Sequence, residues 1–265
     1  MTISDKGKIL ELIRRKPYTS CSRIVDVLEL DCSDETVRVF LHNSGYSWKK
    51  GDPKPLLTQE MKDARFDWAQ IHKDFDFNQV IFTDECTIYL DFSNHTGWFP
   101  KGFFPVEKLA YPQKVNIWAA IGFIGPLAIR VYNENTNSIL YKAFLEDNLL
   151  PAARAYYGDF GGGWILMQDN ASYHTSDITR RSLVKNNINV LVWPSYSPDI
   201  NPIENLWGML KLMVAERLPK TIEELEESIY EAWDQIEEEV FEDLFLSMED
   251  RMYALIESNG NYIDY

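Results

Sequence analysis

The chain has 265 residues, 45% hydrophobic and 14% aromatic, with a formal net charge of −15. That much apolar material at this length builds a core without disulfide or metal staples, so whole-chain disorder is excluded. The longest uncharged apolar stretch, residues 115–129, is broken by Asn116, Gly122, Gly125 and Pro126, so no membrane span is expected. The N-terminus opens without an apolar signal region, and Cys21, Cys32 and Cys86 form no CxxC pair and leave an odd thiol. A reducing compartment is expected, and a disulfide framework or a zinc ribbon is not.

Three short helices are expected over residues 1–50. Ile9, Leu10, Leu12 and Ile13 keep helical spacing until Pro17, and Ile24, Val25, Val27 and Leu28 repeat it after Ser20. Ser33 or Asp34 can cap a third helix with Val37, Phe40 and Leu41 inside, and Gly45 ends it. Helices joined this tightly make a helix-turn-helix pattern, whose last helix enters a DNA major groove; a plain three-helix knob fits the same spacing. Arg38, His42 and Asn43 are the base-reading groups that helix offers. Residues 51–77 read as linker and helix, entered through the mildly basic Lys49 and Lys50 and carrying Met61, Ala64, Trp68 and Ile71 on one helical face.

The hydrophobic period then changes. Residues 79–84 form a short apolar run ending in Asp84, followed by three antiparallel strands over 86–92, 115–123 and 126–132. A helix over 138–150 leads to another short strand, 164–169, ending in Asp169. A helix over 175–186, a brief strand at 190–192, a Pro/Ser turn and helices from Pro202 onward complete a mixed α/β layer. Residues 161–163 are a Gly-Gly-Gly turn without the Lys and Ser/Thr of a phosphate loop.

Functional groups of open α/β sheets gather beyond the carboxyl ends of strands, where Asp84 and Asp169 both fall. On parallel neighbouring strands about 4.8 Å apart, their carboxylates converge. Two bare carboxylates that close repel and raise one pKa unless a cation lies between them. Magnesium suits such a pair, because it takes hard carboxylate oxygens and keeps sites for water and phosphate. Taken singly, each Asp is also an ordinary turn residue. Glu204 has its own plain explanation, since Asn201 suits an N-cap, Pro202 the first helical position and Glu204 a capping box. The rigid run through Pro194, Pro198 and Ile200 instead favours a fixed carboxylate completing a metal site.

Taken together, three segments resemble the mariner superfamily of DDE transposases. They are Phe82-Thr-Asp84-Glu-Cys, Met167-Gln-Asp169-Asn-Ala-Ser-Tyr-His174-Thr-Ser, and Trp193-Pro-Ser-Tyr-Ser-Pro-Asp-Ile-Asn-Pro-Ile-Glu204-Asn-Leu-Trp207. Between Asp169 and Glu204 lie 34 residues, the separation typical of the branch whose third acid is Glu. Residues 34–59 are similar to the second helix-turn-helix and linker of these enzymes, and Asn259-Gly-Asn-Tyr to their C-terminal end. Full members carry two helix-turn-helix units, and this chain begins with what resembles the second.

The resemblance implies a ribonuclease H-like mixed sheet flanked by helices, preceded by a small all-α helix-turn-helix domain. The expected domains are 1–50 for DNA binding, 51–77 for linker and helix, 78–220 for catalysis and 221–265 for acidic C-terminal helices. It implies cleavage of transposon-end double-stranded DNA and joining of the freed 3′-hydroxyl to target DNA at a TA step. Asp84, Asp169 and Glu204 would be both catalytic residues and ligands of two Mg²⁺, for which Mn²⁺ can substitute; Asp84 would bridge the ions. Asn170 and His174 are the supporting residues, although His174 equally suits a helix cap. Arg38, His42, Lys49, Lys50, Arg180, Arg181 and Lys211 are the DNA contacts, and a homodimer is expected. Strand alternation turns Glu85 away from Asp84, so Glu85 is left outside the triad. Location is expected to be nuclear in a eukaryote, without an evident import signal, and cytoplasmic otherwise.

Charge is unevenly spread. Residues 221–265 hold 15 acids and the single base Arg251, which leaves residues 1–220 at −1. Such a tail repels phosphates, so it faces solvent, a partner or a basic patch of a second subunit. Two other readings stand beside the enzyme: a catalytically idle transposase-derived DNA-binding or regulatory protein, and an interaction module working through the acidic tail. A decayed site should have lost a carboxylate, and all three remain.

Overall fold

The computed structural model describes residues 2–16, 19–47, 55–90, 113–158 and 163–264. Two units divide the chain, Met1–Pro55 and Leu56–Tyr265. In the first, α1 (Ile3–Arg15), α2 (Cys21–Leu28) and α3 (Asp34–Asn43) enclose Ile9, Ile13, Ile24 and Val37. Ser20 and Ser33 cap α2 and α3 by accepting the backbone N–H groups of Arg23 and Thr36, and Gly45 follows α3 at φ +82°. These are the capping residues and the stop that the sequence pattern singles out. Pro17 and residues 48–54, including Lys49 and Lys50, lie outside the described residues.

Among the described residues the second unit is built on five strands: β1 (Val80–Tyr89), β2 (Lys114–Gly122), β3 (Gly125–Tyr132), β4 (Ile165–Met167) and β5 (Asn189–Val190). Their order is β3-β2-β1-β4-β5. The β1–β2 and β2–β3 pairs are antiparallel, while β1–β4 and β4–β5 are parallel. A two-residue turn joins β2 to β3, and Gly125 leaves it at φ +123°, a conformation that favours glycine. A parallel neighbour needs a crossover, and residues 138–157 supply it as α5 (Ser138–Ala143), a π-helical turn (Phe144–Leu149) and α6 (Leu150–Tyr157). Pro151 has no N–H for the carbonyl one turn back, which places a wider turn just before it.

The strand boundaries correct one expectation. The runs 79–84 and 86–92 are a single strand as far as Tyr89, so Asp84 sits within β1 and not at its carboxyl end. Its pairing explains why the site still forms there. The parallel pairing with β4 ends at Phe82 opposite Met167, and Asp84 and Asp169 each follow two residues later. Across the pleat, even-numbered β1 residues such as Phe82, Cys86 and Ile88 enter one core, and Ile81 enters the other with Trp118 and Leu166.

The first core is closed by α4 (Gln59–His72), α8 (Ile203–Arg217), α9 (Ile222–Asp234) and α10 (Glu238–Glu257). Leu225, Ile229, Phe241, Phe245, Met248 and Met252 are all buried there. The acidic segment is therefore amphipathic and integral to the core, and its acids occupy the outward faces.

Arg65 of α4 is completely buried, and it ties this layer together. Its guanidinium makes a two-pronged ion pair with Asp199, at 2.9 and 2.6 Å, and donates to the carbonyl of Gly260 at 2.9 Å. Gly260 lies at φ +73° against the Lys62 carbonyl, so a Cβ there would collide with backbone. The closing Asn-Gly-Asn-Tyr thus has a physical reason to contain glycine. Breaking a buried ion pair by removing one partner costs about 3–5 kcal/mol. Asp199→Ala is expected to lower the unfolding free energy by that amount in urea denaturation, and a loss below about 1 kcal/mol would contradict the clamp. Deleting residues 221–265 is expected to leave no cooperative unfolding transition of the second unit, because at about 1.5–3 kcal/mol each the lost core side chains outweigh typical domain stability.

Candidate active site

Asp84, Asp169, Asn170 and Glu204 line one open cleft of about 460 Å³, together with Trp193, Ser195 and Tyr196. Three elements deliver the acids. Asp84 comes from the centre of β1, and Asp169 from the turn after β4, where Thr83 Oγ1 donates to the Met167 carbonyl at 2.9 Å and fixes the strand end. Glu204 lies in the first turn of α8. The helix begins at Ile203 after a 3₁₀ turn (Pro198–Ile200), and Asn201 Oδ1 accepts from Ile203 N at 3.4 Å. The N-cap is Pro202 and makes no side-chain cap bond, so the expected Asn201 cap with Pro202 as first helical residue does not form, and the Glu204 carboxylate opens onto the cleft.

The loop carrying Glu204 is clamped from behind. Asp199 accepts from Arg65, and Arg251 of α10 donates to the Asp199 carbonyl at 3.1 Å and to Asn205 Oδ1 at 2.8 Å. Asn170 Nδ2 donates to the Trp193 carbonyl at 2.9 Å, so the Asp169 turn and the Pro/Ser loop are fastened to each other.

The three acids do not share one electrostatic environment. Burial pushes the Asp84 carboxyl well above its ordinary value, with the Glu204 and Glu85 charges adding to the rise. Burial also raises Glu204; Lys211 opposes the shift and Asp169 reinforces it. Asp169 is more exposed, and its burial penalty is outweighed by hydrogen bonds from His174 and the Ala171 N–H, so it is lowered. Burial would lower His174, yet its bonds to Asp169 and Glu85 raise it to about 9. It is accordingly an imidazolium near neutral pH.

His174 is 2% exposed and bridges Asp169 Oδ1 at 2.7 Å and Glu85 Oε1 at 3.2 Å. The cap of the following helix, α7 (Asp177–Lys185), is Ser176, so the capping alternative for His174 does not hold. Glu85 does face away from Asp84, as strand alternation requires, but it is joined to Asp169 through His174. Sequence reasoning set it aside. Trp207 also reaches the site, because its indole Nε1–H donates to Asp84 Oδ2 at 2.9 Å. The signal was present, because Trp207 follows Glu204 by three residues and shares its helix face.

The other named residues are dispersed. Arg38 and His42 are exposed on α3 in the first unit, and Arg38 pairs with Glu35 at 2.8 Å. Arg180 and Arg181 are exposed on α7, with Arg180 3.7 Å from Asp177. Lys211 is exposed on α8 and bears electrostatically on Glu204 and Cys86.

The donor set suits a hard divalent cation. Three carboxylates reach the cleft, and burial pushes the Cys86 thiol up, which disfavours a thiolate ligand. Among the described residues no group of three or more His, Cys, Asp or Glu side chains is placed to hold one metal ion by itself. Magnesium needs none, because it is held by one or two carboxylates and completed by water and substrate phosphate.

Residues 79–226 match the family described as DDE superfamily endonuclease, and residues 6–74 match one described as transposase. The chain is 31% identical to the transposable element Tc3 transposase of Caenorhabditis elegans, over 100% of this chain and 82% of that protein. Its fold is similar to a Mos1 transposase paired-end complex with left transposon end, at TM-score 0.78 and 19% identity, covering 98% of this chain and 80% of the other. It is also similar to the Mos1 mariner paired end complex with Mn, at TM-score 0.75 and 20% identity, with the same coverage.

A raised carboxyl pKa in the fold means that ionisation destabilises the cation-free protein. The sign follows from the proton count: stability falls as pH rises above 3.8, the ordinary Asp84 value, towards its higher value in the fold. Asp84→Asn, with an amide oxygen still able to accept from Trp207, is expected to melt a few degrees higher than the parent in chelator at pH 7. The difference is expected to vanish as pH approaches 4. Equal melting temperatures at pH 7 in differential scanning calorimetry would contradict the repulsion.

Proposed function

The chain belongs to the DDE superfamily endonucleases, among the Tc1/mariner-type transposases, and from that premise we propose which residues cut transposon-end DNA and transfer its strand. It is a ribonuclease H-like enzyme preceded by a helix-turn-helix unit. The observation that carries the assignment is the convergence of Asp84, Asp169 and Glu204 on one cleft from three separate elements.

Asp84, Asp169 and Glu204 are the catalytic carboxylates and would hold two Mg²⁺, with Mn²⁺ as substitute. When bound, the ions supply Lewis-acid activation of the attacking oxygen and stabilisation of the leaving oxygen. Three ionised carboxylates would repel a phosphodiester, so it could approach them only with cations balancing their charge. Asn170 keeps the Asp169 turn against the Trp193 carbonyl, and His174 holds the Asp169 carboxylate. Lys211, exposed on the helix that bears Glu204, is placed to meet a flanking phosphate.

The substrate is double-stranded DNA, both transposon ends and a target TA step. Arg38 and His42 read or grip DNA from the first unit, with Lys49 and Lys50 following on the linker, and Arg180 and Arg181 add phosphate contacts. A homodimer brings two ends together. No described helix is long and apolar enough to cross a membrane. The protein works beside DNA, in the nucleus of a eukaryotic host or in the cytoplasm otherwise.

Nicking of supercoiled plasmid by the purified chain is expected with Mg²⁺ or Mn²⁺ and not in chelator. Asp84→Asn, Asp169→Asn and Glu204→Gln are each expected to lower the rate by more than about 10²-fold while remaining folded. Retained cleavage in folded Asp169→Asn would overturn the assignment.

A further inference from the structure

We propose that Trp207 and the Glu85–His174 pair are positioning residues, which each pin one oxygen of a catalytic aspartate so that its other oxygen faces the metal. The inference rests on the triad assignment above and adds residues outside it. A carboxylate has two oxygens, and a freely turning one presents either to a ligand at an entropic cost. Here both aspartates are already committed.

For Asp84, the Trp207 indole donates to Oδ2 at 2.9 Å. Trp207 is 2% exposed, and its ring lies 6.4 Å from that of Trp233 within the first core, so the donor is itself immobilised. An indole donates and cannot accept or ionise, which makes it a directional anchor that never competes with the carboxylate for a cation. For Asp169, Oδ1 accepts both His174 Nδ1 at 2.7 Å and the Ala171 N–H at 2.8 Å. Those two donors satisfy the lone pairs of Oδ1 and leave Oδ2 as the ligand atom.

His174 is held in turn from its far side. Its Nε2 donates to Glu85 Oε1 at 3.2 Å, and its ring lies 4.1 Å from Tyr141 and 4.4 Å from Tyr173. Glu85 is the β1 neighbour of Asp84, on the opposite face of the sheet. The two aspartates are therefore coupled through one strand, Asp84 to the α8 side by Trp207 and Asp169 to the α7 side by His174 and Glu85. Metal ligands with such hydrogen-bonded partners lose about 10–100-fold in affinity when the partner is removed.

The test is Mn²⁺ affinity by isothermal titration calorimetry on the full chain, for the parent, Trp207→Phe, Glu85→Leu and Glu85→Gln. Trp207→Phe keeps an aromatic ring and removes the donor. Glu85→Leu removes the acceptor that holds His174, and Glu85→Gln keeps an acceptor oxygen. The expected result is affinity weakened about 10–100-fold in Trp207→Phe and Glu85→Leu, with Glu85→Gln recovering most of the loss. On plasmid DNA at saturating metal, kcat is expected to fall with KM for DNA unchanged. Unchanged Mn²⁺ affinity in folded Trp207→Phe and Glu85→Leu, even with lowered melting temperatures, would make these residues merely structural and overturn the proposal alone. A folded parent that binds no Mn²⁺ would overturn the triad assignment and the proposal with it.

Discussion

Burial of Asp84 and Glu204 with like charges close by is the constraint around which the cleft of the second unit is organised. Asp84 and Glu204 are both driven up by burial and by neighbouring negative charge, so the fold holds them in place against their own preference. Each is anchored by a different rigid element. Asp84 is embedded in the central strand of the sheet, Asp169 follows the last paired residue of β4, and Glu204 begins a helix whose approach is clamped by buried Arg65 and Arg251. A site on such supports keeps its geometry before any cation arrives, and that lowers the reorganisation needed for catalysis.

The clamp also explains the shape of the outer layer. Arg65 on α4 reaches Asp199, Gly260 and Asn261, which belong to the Pro/Ser loop and to the end of the chain. Three segments distant in sequence therefore meet at one guanidinium, at the loop that leads into α8. The acidic helices α9 and α10 serve this arrangement with their inner faces, while their outer faces carry the negative charge. The acidic outer faces of α9 and α10 disfavour phosphates along that side of the second unit.

Much of the architecture follows from short-range pattern. The capping serines of α2 and α3, the glycine after α3 and the alternation of β1 are local effects, and local sequence reports them faithfully. The three carboxylates are singled out by the resemblance to the mariner superfamily, and the fold brings them to one cleft. What sequence does not report is reach across the fold. The continuity of β1 through Asp84 depends on pairing with β2, which begins thirty residues after Asp84. Glu85 looks idle on a strand because its partner His174 arrives from another element. Arg65 looks like an ordinary surface arginine on a charged helix until Asp199, 134 residues away, completes its pair. The tail looks detachable because its charge conceals the periodicity of its apolar face.

The most direct measurement is anomalous diffraction at the manganese edge from crystals of the full chain grown with Mn²⁺. The account requires density between Asp84 and Asp169 and between Asp84 and Glu204, with Asp84 common to both positions. Manganese bound elsewhere, or an ordered cleft without it at saturating concentration, would contradict the claim that these three carboxylates form the metal centre.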